Sequence, residues 1–138
     1  MYQKIGLKMA TSYSPNFNLP KRVKNRMKFI IIHYTGMKKE FAAINRLQDS
    51  KSKVSSHYLI KRNGEIINLV PDLFEAWHAG VSSWKHFKSL NKNSIGIEIT
   101  NPGHQHGYKK FSKKQIFSLQ KLLKICLLYT SPSPRDTN

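Results

Sequence analysis

Histidines and one carboxylate within a predicted strand are the residues of this 138-residue chain that could support catalysis. His33 directly follows the apolar run 29–32, and Glu98 lies within the alternating segment 94–100. A histidine at the end of a buried strand is either a hydrogen-bonded core residue or a ligand that the strand holds in place. A carboxylate in mid-strand either faces water at a sheet edge or points into a site. The residues alone leave both pairs of alternatives open.

The remaining histidines include one close pair. His104 and His106 are one residue apart, a spacing that can chelate a metal ion. They lie in a glycine-containing loop, where both side chains could equally face solvent. His57 lies in a predicted strand, and His78 lies in the loop that follows the next strand. Spacing alone would make His104 and His106 the metal pair, and it is a weak signal.

A mixed β-sheet is predicted to position these side chains. Residues 29–32 are apolar and rich in β-branched side chains, which predicts a central strand buried on both faces. The segments 56–62 and 65–70 predict a hairpin, because Asn63-Gly64 between them tolerates positive φ. Segment 94–100 alternates, with Ile95, Ile97 and Ile99 on one side and Gly96, Glu98 and Thr100 on the other.

Two helices are expected to flank this sheet. Apolar residues recur at helical spacing in segment 41–48. Ser112 and Gln115 form a capping-box pattern, which predicts the start of a second helix. An apolar stripe follows it at Ile116, Leu119, Leu122 and Leu123. The predicted order, β-α-β-β-β-α, indicates an α/β fold.

Composition divides the chain into three segments. Residues 1–26 are rich in Ser, Pro and Asn and then in Lys and Arg, which predicts an irregular basic leader. Residues 27–125 hold the predicted sheet and helices. In segment 126–138, the string from Cys126 to Asp136 resembles one reading-frame translation of a sequencing-library adapter, so we expect a non-native tail.

Charge is the strongest feature of the composition. The chain has 24 Lys and Arg against 7 Asp and Glu, and its net charge of +17 predicts attraction to polyanions. No apolar run approaches the roughly 18 residues that span a bilayer. The single cysteine, Cys126, excludes an internal disulfide. No secretory apolar stretch or early lipid-attachment cysteine is present, which predicts a cytoplasmic protein; a periplasmic location stays open if the recorded start is not the true start.

Four blocks of the sequence together resemble one enzyme family. The blocks are Ile31-Ile32-His33-Tyr34-Thr35; Ser55-Ser56-His57-Tyr58-Leu59-Ile60 with Asn63-Gly64-Glu65-Ile66; Ala76-Trp77-His78-Ala79-Gly80-Val81-Ser82 with Trp84; and Leu90-Asn91 with Ser94-Ile95-Gly96-Ile97-Glu98-Ile99 and Asn101. In order and spacing they resemble the zinc-dependent N-acetylmuramoyl-L-alanine amidases, the amidase-2 family, which is related to peptidoglycan recognition proteins.

The resemblance implies a set of site residues and a zinc ion. His33 would be the first zinc ligand, and Glu98 would be the catalytic carboxylate that takes a proton from zinc-activated water. The substrate would be peptidoglycan or a muropeptide, cut at the amide bond between N-acetylmuramic acid and L-alanine. The substrate-binding residues would be Tyr34, His57, Trp77, His78 and Asn101.

The resemblance also implies that this sequence is truncated at its C-terminus. In the family, the second and third zinc ligands follow the long helix, so the last strand and helix would be missing here. Cys126 precedes the expected second ligand and is not assigned to the metal, and His104 and His106 align with no ligand. With His33 as the one expected ligand, we expect weak zinc binding and little hydrolysis by this chain.

Three functions compete on this evidence. The first is a zinc amidase that acts on peptidoglycan. The second is a non-catalytic module of the same fold that binds muropeptides. The third, suggested by charge alone, is a nucleic-acid-binding protein, but the basic residues are scattered and form no nucleic-acid-binding motif. We expect a monomer with no specific nucleic-acid partner and no membrane span.

Overall fold

The computed structural model describes residues 8–80 and 82–130. Two α-helices are present among them, α1 (Glu40–Gln48) and α2 (Lys113–Thr130). The strands are β1 (Met9–Thr11), β2 (Phe17–Asn18), β3 (Phe29–Tyr34), β4 (Tyr58–Ile60), β5 (Ile66–Asn68), β6 (Glu75–Ala76), β7 (Ser83–Trp84), β8 (Phe87–Lys88) and β9 (Ser94–Ile99). Short 3-10 helices cover Lys24–Arg26, Leu90–Asn93 and His104–His106.

Five strands form one mixed sheet in the order β1-β5-β4-β9-β3. β9 pairs in parallel with β3 on one side and with β4 on the other, whereas β4 and β5 are antiparallel. The pairing of β3 with β9 sets His33 opposite Glu98. The predicted α/β fold is therefore confirmed, and the two residues singled out for chemistry are neighbours across two strands.

The two helices pack on clusters of apolar side chains of this sheet. Ile95, Ile97 and Ile99 are buried in a cluster that includes Leu122 of α2. A second cluster joins Leu47 of α1 to buried residues of β4 and β5 and the segment after β5: Leu59, Ile67 and Leu69. The alternation predicted for segment 94–100 is confirmed, because its three isoleucines all enter the core.

β3 is not the central strand that its apolar run predicts. It lies at the edge of the sheet, and its one partner strand among the described residues is β9. Ile32 is 46% exposed, and the other residues of β3 are half-buried or exposed. The prediction of burial on both faces is wrong because local composition cannot tell an edge strand from a central one.

One predicted hairpin turn and one predicted helix cap are confirmed. Gly64 has φ of +88° in the β4–β5 hairpin, and a side chain there would also collide with the backbone of Lys114. Ser112 Oγ accepts the backbone N–H of Gln115 at 3.0 Å. In return Gln115 Oε1 accepts the backbone N–H of Ser112 at 3.0 Å, which completes the capping box of α2.

The described part of the predicted leader, residues 8–26, is ordered and packed rather than irregular. β1 pairs with β5, and β2 pairs with β6. Ser14 and Asn16 are buried, and Ser14 Oγ donates to the carbonyl of Leu47 at 2.6 Å. Arg22 donates to the backbone carbonyls of Ser94 at 2.7 Å and Asp72 at 2.6 Å. The sequence predicts an irregular leader from these polar residues, but in the structure they donate hydrogen bonds to backbone carbonyls of the packed domain.

The predicted non-native tail begins inside α2. The helix continues without a break through Cys126, which is buried, to Thr130. Residues 131–138 lie outside the described part of the chain. The origin of segment 126–138 stays a prediction, because a sequence of foreign origin can also extend a helix.

Candidate active site

One face of β9 presents a serine, a glycine and a carboxylate in alternate positions: Ser94, Gly96 and Glu98. The intervening isoleucines anchor the strand in the core, so these three residues face the opposite side of the sheet. Ser94 and Gly96 contact His78, while Glu98 lines a cleft beside it. The alternating pattern thus directs one strand face toward a group of titratable side chains.

Glu98 is half-buried, and one oxygen of its carboxylate lacks a hydrogen-bond partner among the described residues. Its Oε2 is buried and has no hydrogen-bond partner among the described residues. Burial raises the pKa of Glu98 from 4.5 to about 7, although the positive charge of Arg46 opposes that rise. Of the two alternatives left open by sequence, the sheet-edge one is excluded, because β9 has strands on both sides and Glu98 lines a cleft.

His33 lies at the end of β3 and contacts a second imidazole. Its Nε2 is 3.1 Å from Nδ1 of His78, and the two rings meet edge to face. Burial lowers the pKa of His33, so its ring is neutral at pH 7. The histidine is half-buried beside His78, which lines the cleft, and is hydrogen-bonded through one nitrogen.

His78 is held more tightly than its loop position predicts. Its Nε2 lies 3.0 Å from Ser94 Oγ, and its backbone N–H donates to Asn91 Oδ1 at 3.1 Å. Burial, reinforced by His57, His33 and Arg22, lowers the pKa of His78 to about 2. The ring is therefore a neutral hydrogen-bonding group at any ordinary pH.

A cleft of about 130 Å³ opens beside Glu98. Trp77 and His78 lie on its wall, and α1 contributes Arg46. Sequence reasoning missed Arg46, because a single arginine on a helix in a chain with 24 basic residues carries no signal of its own. The remaining lining residues are Thr35, Met37, Ala43, Leu47, Val54 and Ser55.

His57 is enclosed in the protein, which corrects its expected contact with substrate. Its side chain is 0% exposed. Nδ1 accepts the backbone N–H of Gly96 at 3.0 Å, and Nε2 donates to the carbonyl of Phe74 at 2.7 Å. Burial and the charge of Arg22 lower the pKa of His57 to about 3. With both nitrogens occupied, the ring supports the sheet and offers no group to a ligand.

Asn101 and Tyr34 lie near the site but differ in access. Asn101 is 0% exposed, and it donates to the carbonyl of Lys109 at 2.6 Å and accepts the N–H of Gly103 at 2.9 Å. Its side chain thus organises a loop, and the expected substrate contact is not supported. Tyr34 is 55% exposed, and its ring packs against Gly103, where a Cβ would collide with it.

The described residues supply at most part of a metal centre. Among residues 8–80 and 82–130, no group of three His, Cys, Asp or Glu side chains is placed to hold a metal ion. Zinc in hydrolytic enzymes is usually held by three side chains. His33, neutral and hydrogen-bonded through one nitrogen, fits one such ligand. The exposed pair His104 and His106 lies in a 3-10 helix that does not line the cleft.

No helix in the described ranges is both long and apolar enough to cross a membrane.

Comparison with known proteins identifies relatives of this chain. It is 39% identical over 107 residues to the N-acetylmuramoyl-L-alanine amidase AmiD of Escherichia coli, a match that covers 71% of this chain and 38% of the relative. It is 40% identical over 75 residues to the 1,6-anhydro-N-acetylmuramyl-L-alanine amidase AmpD of Haemophilus influenzae, covering 54% of this chain and 39% of the relative. The chain thus spans well under half the length of these two relatives.

Solved structures of the same kind share the fold. The structure of Escherichia coli AmiD in complex with its substrate, anhydro-N-acetylmuramic acid-L-Ala-D-γ-Glu-L-Lys, is 33% identical, with a TM-score of 0.68 over 86% of this chain and 50% of that one. AMPDH3 from Pseudomonas aeruginosa is 30% identical, with a TM-score of 0.70 over 93% of this chain and 56% of that one. The N-acetylmuramoyl-L-alanine amidase family, Amidase_2, matches residues 23–136. The chain, in which His33 lies opposite Glu98 on two parallel strands, belongs to the Amidase_2 family.

Proposed function

We propose that the cleft beside Glu98 binds a muropeptide and forms part of a site that hydrolyses the amide bond between N-acetylmuramic acid and L-alanine. The observation that carries this proposal is the half-buried carboxylate of Glu98, whose Oε2 has no partner among the described residues. The relatives named above are amidases of this kind, and AmiD and AMPDH3 have been solved in complex with anhydromuropeptides.

Glu98 has the properties of a residue that moves protons near neutral pH. Its pKa of about 7 means that the protonated and ionised forms are both populated there. A general base works best when its pKa lies near the working pH, because it must first take a proton and then release it. We propose that Glu98 takes a proton from the attacking water and passes it to the departing amine.

We propose that zinc is the cofactor and that His33 is one of its ligands. Zinc, when bound, would lower the pKa of a water molecule and polarise the amide carbonyl. The described residues do not complete a three-ligand site. We therefore propose that the described residues by themselves bind zinc weakly and hydrolyse little.

We propose that Trp77 contacts the ligand directly in the cleft and that Tyr34 contributes at its exposed edge. Trp77 lines the cleft beside Glu98. Tyr34 leaves more than half of its surface open to solvent. Aromatic side chains suit this role because their rings offer rigid apolar surface to sugar and peptide groups.

A non-catalytic muropeptide-binding module is the second candidate. One observation favours it for the chain as it stands: the described residues contain no group of three possible metal ligands. A cleft with one proposed ligand can still bind peptide and sugar groups. Hydrolysis, rather than binding, separates the two functions.

Binding and hydrolysis of anhydro-N-acetylmuramic acid-L-Ala-D-γ-Glu-L-Lys test the proposal. The ligand should change the fluorescence of the chain, because Trp77 lines the cleft. With added zinc, chromatography should show slow release of the peptide. Glu98→Gln should keep the binding and lower any release by about 100-fold or more.

Each outcome of that experiment has a definite meaning. No binding would overturn both candidate functions. Binding with release that Glu98→Gln does not alter would overturn the role of Glu98. Fast release by the wild-type chain would overturn the proposal that this chain hydrolyses little.

We further propose a monomer whose domain joins the packed residues 8–26 to the predicted segment 27–125 and is followed by a non-native tail, 126–138. The compartment stays a prediction, with the cytoplasm expected and the periplasm as the alternative. Relatives named AmpD and AmiD support the function but do not decide the compartment of this chain.

A further inference from the structure

A relay of hydrogen bonds leads from a backbone carbonyl to His78. Ser94 Oγ donates its hydrogen to the carbonyl of Leu90 at 2.7 Å. A hydroxyl has one hydrogen, so toward His78 Nε2, 3.0 Å away, the same oxygen must accept. His78 is therefore protonated at Nε2, and its Nδ1 carries a lone pair.

The same relay continues from His78 to His33. Nδ1 of His78 lies 3.1 Å from Nε2 of His33. Because the first atom is an acceptor, Nε2 of His33 must be the donor. A neutral His33 with its proton on Nε2 has an unprotonated Nδ1, and no donor among residues 8–80 and 82–130 occupies that nitrogen.

The surroundings of His78 allow its ring little movement. A Cβ at position 96 would lie 2.4 Å from Cγ of His78, so the ring lies directly on the backbone of Gly96. Asn91 Oδ1 accepts the backbone N–H groups of His78 at 3.1 Å and Ala79 at 2.8 Å, which fixes the loop below the ring. His78 is thus held from the strand and from its own loop.

We propose that His78 is a positioning residue, which holds His33 in the Nε2–H tautomer and leaves Nδ1 of His33 as the atom that binds a metal ion. The inference rests on the proposed function, which assigns His33 to zinc. Histidines that bind metals usually donate their second ring N–H to a neighbouring acceptor, and that acceptor sets the ring orientation. Here the acceptor is a second imidazole, itself set by Ser94. His78 therefore serves His33, in contrast to the substrate contact expected from sequence.

Nuclear magnetic resonance of the ¹⁵N-labelled chain tests this relay directly. The wild type at neutral pH should show a ¹⁵N–¹⁵N coupling through the hydrogen bond between His33 Nε2 and His78 Nδ1. Long-range proton–nitrogen spectra should show both rings protonated at Nε2. Zinc added alone should shift Nδ1 of His33.

Ser94→Ala is the informative variant, because Ser94 does not touch His33. Without the hydroxyl, His78 loses its Nε2–H acceptor, so the coupling should weaken and Nδ1 of His33 should become partly protonated. The zinc affinity at His33 should fall about 10-fold. His104→Gln, at an exposed histidine outside the cleft, should change none of these signals. If Ser94→Ala fails to fold, His78→Gln replaces it: the amide oxygen can accept from His33 and should preserve its tautomer.

The failures of the two proposals are distinguishable. A wild-type His33 protonated at Nδ1, or a missing coupling, overturns the positioning role whatever the function. A wild-type coupling that Ser94→Ala leaves intact overturns the relay through Ser94. Coupling as expected, with zinc that shifts other residues but not His33, overturns the proposed metal role of His33 and with it the assignment of Nδ1 as the ligand atom.

Discussion

Glu98 places an ionisable carboxylate in a largely buried position. Its strand neighbours Ile97 and Ile99 are buried in the core, and its own Oε2 is buried without a partner among the described residues. An unpaired buried carboxylate costs stability when it ionises. Glu98 therefore lowers the free energy of unfolding when it is ionised, and its pKa of about 7 lets it exchange protons near neutral pH.

Glu98→Gln should stabilise the protein at alkaline pH and have little effect at acidic pH. The pKa of Glu98 is raised from 4.5 to about 7 in the folded state, so that state binds the proton more tightly than the unfolded chain. The contribution of Glu98 to stability is therefore complete below pH 4.5 and is lost as the pH rises through about 7. We expect a gain of about 2 kcal/mol in the free energy of unfolding at alkaline pH, measured with urea.

A matched variant separates this effect from a simple change in net charge. Glu65 lies 3.9 Å from both Lys8 and Lys61 in ion pairs outside the cleft. Glu65→Gln removes the same charge but should not stabilise the protein at alkaline pH. If the gain from Glu98→Gln were independent of pH, burial of the ionised carboxylate would not be its cause.

At the scale of elements, β9 connects the core to the site. Its isoleucines pack in the same cluster as α2, while its opposite face meets His78 at Ser94 and Gly96. β3 delivers His33 beside Glu98 through parallel pairing in register. A shift of one residue in that register would move Glu98 to the other face, so strand pairing decides whether the site exists.

Gly96→Ala should damage the site through packing. The added Cβ would lie 2.4 Å from Cγ of His78, so the ring must move. We expect a loss of about 1–3 kcal/mol in the free energy of unfolding. The imidazole resonances of His78 and His33 should shift together. Both changes can be measured on the same labelled sample.

Gly107→Ala is the control for that variant. Gly107 has φ of +76°, and no atom lies within 4 Å of the position that its Cβ would take. The substitution therefore reports backbone strain without a collision. It should leave the resonances of His78 unchanged. Unshifted His78 resonances in Gly96→Ala would contradict the close packing of ring and glycine.

At the scale of the whole molecule, charge acts over distances longer than any contact. The net charge of +17 attracts anions from every direction, and Arg46 places one positive charge at the cleft itself. A muropeptide carries carboxylates, so its approach should be accelerated. The scattered positive charge is enough to explain attraction of anions, so this attraction is no evidence for a nucleic-acid-binding site.

Muropeptide binding should weaken as salt is added. Raising sodium chloride from about 50 to about 500 mM shortens the screening length several-fold, so the association rate should fall more than the dissociation rate rises. Stopped-flow fluorescence measures both rates. Arg46→Gln should reduce the salt dependence more than Arg26→Gln, because Arg46 lines the cleft and Arg26 does not. Equal effects of the two variants would show that only the total charge matters.

The sequence by itself determined the features that depend on near neighbours. Alternation in segment 94–100, the hairpin at Asn63-Gly64 and the capping box of Ser112 and Gln115 were all predicted and are confirmed. Each depends on backbone geometry over a few residues, which local residue types control directly. The four blocks that resemble the amidase-2 family could also be recognised from sequence, because each block is short and contiguous.

Tertiary structure decided what depends on segments far apart in the chain. Arg22, in the segment predicted to be an irregular leader, is half-buried and donates to the backbone carbonyls of Asp72 and Ser94. β3 was predicted to be a central strand but lies at the edge of the sheet. His57 was expected to contact substrate, but its side chain is fully buried. The bond between His33 and His78 joins residues 45 positions apart. Such contacts depend on which strands pair and how the loops between them close. The residue types within one segment do not determine that long-range pairing.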